Sequence, residues 1–396
     1  MEGFGASAAK PIPVLLTVRE LHHGGIERDV TKIAMKIDRT RFEPHVASYQ
    51  AQGMRFEELR RAGIPVLHIP VTSLKSPNAI SSAIRMRRYV REKGIRVVHA
   101  YDTSAVFTVP LARALRVPAV LSSTLGSRDL LDQRSRRQMR WTDRMVDGMV
   151  VNCEAMRRHL IEDEHVPAER IELCYNGVAT TEFFPAKLPL AGTNSKAGLV
   201  IGTVCVLRPE KALTLLQEAF SWVRHLDPRM KLVMIGSGPL LASLKENAMK
   251  LGIAEANVFV PATREVATLM RSIDIFVLPS YSEAFSNSLL EAMACGCSVV
   301  GSRVGGTPEL TGMNEERGLL FQSGAVADLA EKLAKLITNE ALRHTLGARA
   351  AKFARENLSI EIAAKRTAAI YEKLLFGKVT QVLPFEPYPS MDFVRE

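Results

Sequence analysis

At 396 residues the chain has room for two or three domains with their own cores, which excludes a miniprotein held together by disulfides or metal. Hydrophobic residues make up 47% and charged residues 24%, with 20 Pro and 25 Gly, a globular mixture that excludes a disordered, collagenous or coiled-coil chain. The formal charge of +10 sits in the first half: residues 1–190 hold 29 Lys+Arg against 21 Asp+Glu, and the remainder 23 against 21. An anionic partner, whether nucleic acid, an acidic membrane surface or a phosphorylated substrate, would meet that half first. No run approaches the ~20 apolar residues of a membrane helix, and Met1 to Lys10 lacks the apolar core of a signal peptide, so a cytosolic protein is expected. Cys153, Cys174, Cys205, Cys295 and Cys297 are odd in number, with no second Cys/His pair at zinc spacing. They read as reduced and mostly buried.

Along the chain, short apolar runs alternate with helical patterns. Val14 to Val18 reads as a strand, and Gly24-Gly25 follows it at the start of a helical pattern, Ile26 to Ile37. Main-chain N–H groups at such a turn can approach an anion, or the glycines can serve chain geometry alone. Further strands are expected at His45 to Tyr49, Val97 to His99, Ala119 to Ser122 and Met149 to Asn152, with helices at Ile80 to Lys93 and Glu154 to Ile161. Arg134, Arg136, Arg137, Arg140 and Arg144 form the densest basic run. It is either a docking patch or a solvated face balanced by Asp129, Asp132, Asp143 and Asp147. Residues 186–198, rich in Pro, Gly, Ser, Thr and Asn, read as a linker.

A second βα series follows, with strands expected at Leu199 to Val204, Lys231 to Ile235, Val258 to Val260, Asp274 to Leu278, Ser298 to Gly301 and Gly318 to Phe321. Near-continuous apolar strands between helices indicate parallel sheets covered on both faces. The expected division is therefore a first domain at 1–185, a linker at 186–198, a second domain at 199–358, a closing helix at 359–376 and an extended tail at 377–396.

Parallel sheets bind ligands beyond the carboxyl ends of their strands. Arg208-Pro209-Glu210-Lys211 follows the first strand of the second series, either as two cations for a diphosphate or as an exposed basic turn. Gly236-Ser237-Gly238 follows the next, but Leu241 stands where a dinucleotide fingerprint needs its third glycine. That argues against a nicotinamide-dependent oxidoreductase. No pyridoxal-phosphate lysine segment suggests a phosphorylase. The segment Pro279 to Gly296 is the most informative, since a loop of small residues feeds a helix whose first N–H groups, from Phe285, Ser286, Asn287 and Ser288, could hold a pyrophosphate. Glu283 precedes this turn and Glu291 is expected in its first helical turn. Ser288-x-x-Glu291 also has the spacing of a capping box.

Glu283 and Glu291 enclose seven residues, and this E-x7-E spacing resembles that of the retaining glycosyltransferases of family 4. Other landmarks agree in order: Gly24-Gly25, Val98-His99-Ala100-Tyr101-Asp102, Asn176-Gly177-Val178, Phe184-Pro185 and Val304-Gly305-Gly306-Thr307-Pro308-Glu309. The resemblance implies an α/β protein of GT-B fold, two doubly wound Rossmann-like domains facing a central cleft. It implies a metal-independent enzyme without a cofactor that moves a hexose-type sugar, with retention, from a UDP-sugar or else a GDP-sugar to a glycan, lipid-linked or small-molecule acceptor. His99, Glu283 and Lys211 would be the catalytic residues. Gly24, Gly25, Arg208, Gly236, Phe285, Ser286, Asn287, Ser288 and Glu291 would bind the donor, Glu291 through the ribose hydroxyls. The family's usual arginine five residues before Lys211 is Val206 here, for which Arg208 is the expected substitute. Val206 also motivates the alternative, a non-catalytic nucleotide-sugar-binding protein. Nucleic acid is not an expected partner; peripheral contact with an anionic membrane is.

Overall fold

The computed structural model describes residues 10–22, 24–126, 128, 131–186, 188 and 198–377. Most of the expected linker and all of the tail after Gly377 lie outside these. The chain divides into two compact units. The first takes in the described residues up to Asn152, then Met156–Gly177 and the helix from Ile360. The second takes in Cys153–Ala155 and Val178–Ser359.

The first unit is built on seven parallel strands: β1 (Ile12–Glu20), β2 (Phe42–Gln50), β3 (Val66–His68), β4 (Val97–Tyr101), β5 (Ala119–Thr124), β6 (Gly148–Val151) and β7 (Ile171–Leu173). Their order is β3-β2-β1-β4-β5-β6-β7. The central strands are apolar on both faces because helices cover both, and Leu15, Leu16, Val97, Val98 and Leu121 are wholly buried. Burial of each such side chain stabilises the sheet by roughly 1.5–3 kcal/mol. The helix Ile360–Phe376 belongs here, with Tyr371 packed edge-on against Phe42 at 5.8 Å.

The second unit has β8 (Val200–Val204), β9 (Lys231–Ile235), β10 (Asn257–Val260), β11 (Ile275–Leu278), β12 (Ser298–Ser302) and β13 (Leu319–Phe321), all parallel, in the order β10-β9-β8-β11-β12-β13. Leu216 and Phe220 from one helix and Leu329, Leu333 and Leu336 from another complete its core. The boundary at 185 is corrected to Gly177/Val178. Val178 donates to Leu358 O at 2.8 Å, and the Arg271 guanidinium lies 4.8 Å from the Phe184 ring centre, so Val178 and Phe184 pack with helix ends of the second unit. In each sheet, chain order reverses beside one strand: between β1 and β4, and between β8 and β11. Loops leaving these pairs flank a crevice, the place where open parallel sheets take ligands.

Candidate active site

In the second unit the loop after β8 runs along the loop after β9. Cys205 donates to Ile235 O and Leu207 to Ser237 O, both at 3.1 Å, and Leu240 donates to Leu207 O at 3.2 Å. Gly236, at φ 145°, makes this approach possible, since a Cβ there would strike the Cys205 carbonyl. Its own N–H donates to Val260 O at 2.9 Å. Val206 and Arg208 are exposed while Leu207 between them is fully buried, so the two project outward together. A single turn, Pro209–Lys211, then ends at Ala212 in the left-handed region (φ 47°), a strained conformation for a residue with a side chain.

That turn aims Lys211 at Glu283, with Nζ and Oε2 2.6 Å apart and side chains 20% and 12% exposed. Tyr281 donates to Glu210 O at 2.9 Å and ties the two loops together. Two expected catalytic residues thus meet as an ion pair at the β8/β11 crevice. Because both are mostly shielded, removing one leaves the other charge poorly compensated.

The Glu283 main chain is held from behind. Gly305 has φ 51°, and a Cβ on it would collide with Glu283 O. Gly306 donates to Ala284 O at 2.6 Å. Phe285 is buried, so only its main chain could serve a ligand. Ser286 caps the helix Asn287–Ala294, its Oγ accepting from Leu289 N–H at 3.3 Å and lying 3.2 Å from Ser288 Oγ. The cap is Ser286 and not Ser288, so the capping-box reading of Ser288 and Glu291 fails. Glu291 lies in the second helical turn, not the first, and is 1% exposed. Asn287 and Ser288 open the helix, where main-chain N–H groups have no acceptor within the helix and its dipole favours an anion. Glu309 of the Gly305-Gly306 element accepts from Glu154 and Ala155 N–H at 3.0 and 3.1 Å, residues that cluster with this same unit.

The first unit's crevice is different. Gly24 caps the helix Gly25–Lys36, and the Glu27 carboxylate folds over it so closely that a Cβ on Gly24 would collide with it. Burial pushes the Glu27 carboxyl above its ordinary value. The anion cradle expected at Gly24 and Gly25 is therefore filled by the chain's own acid. Asp102, directly after β4, has φ 47° and accepts from Leu125 N–H at 3.2 Å. Burial pushes its carboxyl up to about 6, with Arg128 opposing and Glu27 adding to the shift. In the sequence Asp102 enters only as the last residue of the Val98–Asp102 landmark and is given no role. Its only signal there is an acid at a strand end, a type that tolerates left-handed geometry.

His99 is corrected most sharply. β4 runs two residues beyond it, pairing His99 with Leu16 and Leu121 in mid-sheet. Its Nδ1 lies 2.8 Å from Tyr371 Oη and its Nε2 2.7 Å from Ser123 Oγ. Burial holds the ring down at about 3, hence neutral. With both nitrogens engaged and the ring 2% exposed, His99 is structural and not catalytic.

Residues 24–177 match the glycosyl transferase 4-like domain and residues 192–353 the glycosyl transferases group 1. Among curated proteins, an uncharacterized glycosyltransferase of Methanocaldococcus jannaschii is 26% identical over 363 residues, covering 89% of this chain and 95% of that protein. A D-inositol 3-phosphate glycosyltransferase of Mycobacteroides abscessus is 29% identical over 62% of this chain and 54% of its own length. The matched stretch thus spans little more than half of that relative. Among solved structures, a glycosyltransferase from Rickettsia africae superposes with a TM-score of 0.80 at 18% identity, over 93% of this chain and all of that one. Anabaena Alr3699/HepE in complex with UDP-glucose gives 0.78 at 19%, over 91% and 100%. Two domain families matched in succession over well over half the chain, on two parallel-sheet units of this architecture, make the chain a glycosyltransferase of the GT-B type.

Proposed function

We propose that the protein is a retaining hexosyltransferase that works without a metal, its nucleotide-sugar donor held at the β8/β11 crevice. The observation that carries this reading is the Lys211–Glu283 pair beside the Ser286-capped helix start. A donor diphosphate entering there competes with Glu283 for Lys211. Once the lysine turns to the diphosphate, Glu283 is released to accept hydrogen bonds from sugar hydroxyls, while Glu291 receives the ribose hydroxyls. Arg208, outward-facing beside Val206, supplies a second cation in place of the family's arginine. Main-chain N–H groups at Ser286 to Ser288 complete the set.

In the reaction the bond between the anomeric carbon and the diphosphate oxygen breaks as the acceptor oxygen bonds to that carbon on the same face. The acceptor's proton passes to the departing diphosphate. Charge develops on the leaving oxygen, where preorganised donors lower the barrier most. A UDP-sugar is the favoured donor, in keeping with the UDP-glucose bound by Alr3699/HepE. The acceptor is a glycan, a lipid-linked saccharide or a small molecule. We take the protein to be cytoplasmic, in keeping with five free cysteines. Exposed Val206 favours one second reading, a binding protein without turnover.

The test is a melting screen against UDP-, GDP- and ADP-sugars followed by donor turnover in EDTA. A UDP-sugar should raise the melting temperature most and be consumed in EDTA with its anomeric configuration kept in the product. Activity that needs added Mn²⁺, or an inverted product, contradicts the mechanism. Donor binding without any consumption supports the second reading.

A further inference from the structure

We infer that the outer face of the helix Pro77–Glu92, with the residues at its two ends, is a docking surface for an anionic lipid membrane. This goes beyond the transfer reading and does not depend on it. The helix buries Ala79, Ser82, Met86 and Val90, and its Tyr89 packs edge-on against His45 of β2 at 5.5 Å. On the opposite side Ile80, Ile84, Arg87 and Arg91 follow one another at helical spacing and form one stripe. Ile80 is 69% exposed and Ile84 56%, and Leu74, just before the helix, 47%. Scattered surface apolar residues need no explanation, but three within eleven positions, two of them one turn apart on this helix and the third just before it, make a patch.

Cations surround that patch. Lys75, Arg85, Arg87, Arg88, Arg91 and Lys93 are all exposed, none makes an ion pair with a described residue, and Glu92 is the sole acid between Leu74 and Lys93. The run singled out by density, Arg134 to Arg144, is instead partly spent within the fold. Arg140 pairs with Glu164, and Arg136 donates to Leu131 O at 3.2 Å. An apolar stripe flanked by unneutralised Lys and Arg is what an interfacial helix presents to anionic headgroups, its aliphatic side chains entering the acyl boundary. Nucleic acid would answer the cations and leave the isoleucines in water. Leu74 also lines a groove of about 340 Å³. Arg19, Tyr49, Phe107, Asp132 and Arg134 are among the residues that wall it, so the apolar rim continues into a cavity with two arginines to one aspartate where β1 and β2 end.

Vesicle co-sedimentation of the full chain tests this, using phosphatidylcholine alone and phosphatidylcholine mixed with phosphatidylglycerol. The protein should partition at least tenfold better to the anionic vesicles at low salt. Arg87→Ser, Arg88→Ser and Arg91→Ser together should remove that preference. Ile80→Ser with Ile84→Ser should lower, about tenfold, the binding that persists at high salt, where charge is screened. Both sets should keep the parent's melting temperature, so loss of folding is recognised apart from loss of docking. Equal partitioning to both vesicles overturns the proposal, as does an undiminished partition in the arginine set. Binding to poly-glutamate without binding to vesicles assigns the face to an acidic protein and overturns it too.

Discussion

The crevices of the two units are alike in topology and different in charge. Between β1 and β4 the chain places two acids, Glu27 folded over Gly24 and Asp102 on a left-handed backbone, both with carboxyls raised by burial. Between β8 and β11 it places a lysine against an acid, Lys211 and Glu283 at 2.6 Å, next to a helix start. A doubly wound sheet decides where a ligand goes; the residues after the strands decide which ligand. On the proposed reading the second crevice exchanges its internal ion pair for an external diphosphate, whereas two ionised carboxylates in the first would repel one. Breaking each crevice should therefore have a different signature.

The largest effect is expected in the first unit. His99→Ala orphans the Tyr371 and Ser123 hydroxyls and opens a cavity in mid-sheet, at a cost of about 3–5 kcal/mol. Turnover per folded molecule should change only a few-fold. The acid limb should also flatten. The parent's ring stays neutral in the fold down to about pH 3 but takes a proton near pH 6.5 when unfolded, so its contribution drains away as pH falls between those values. Denaturant unfolding across pH, with kinetics alongside, checks both. An unaltered stability with activity lost a hundredfold would restore a catalytic His99.

Asp102 has the opposite sign. Its folded carboxyl titrates near 6 against roughly 4 in an unfolded chain. The folded state holds the extra proton in that window, and the cost of the buried charge is absent below about pH 4 and complete above about pH 6. Asp102→Asn, which keeps an acceptor for Leu125 N–H and tolerates the left-handed backbone, should stabilise the protein at pH 7.5 by about 1–2 kcal/mol once partial exposure is allowed for. That gain should vanish by pH 4. Equal gains at both pH values would show that the carboxylate is not strained by its surroundings.

Much of the fold and of the second crevice was legible in the sequence, the acidic first crevice was not, and the reasons are physical. Eleven of the described strands announce themselves as apolar runs, the three-residue Leu319–Phe321 among them because all three residues are large and apolar; Val66–His68 and Ile171–Leu173 are equally short edge strands whose apolar run is broken by His68 and Glu172. The spacing of Glu283 and Glu291 was readable because both lie on one loop-and-helix unit. Their surroundings were not: two serines two positions apart could each cap the helix, and backbone geometry selects Ser286. His99 was misread because strand ends are uncertain by a few residues, and two more residues of strand turn a strand-end histidine into an interior one. The Lys211–Glu283 contact joins residues 72 apart in sequence, and only the order of the strands brings them together.

The central claim is that Lys211 exchanges Glu283 for a nucleotide diphosphate. Calorimetric titration of the parent and Lys211→Ala with UDP and with uridine tests it most directly, because the two ligands differ only in the phosphates. Loss of the lysine should weaken UDP at least tenfold, about 1.4 kcal/mol, and leave uridine within twofold. Undiminished UDP affinity in Lys211→Ala, or equal losses for UDP and uridine, would contradict the account.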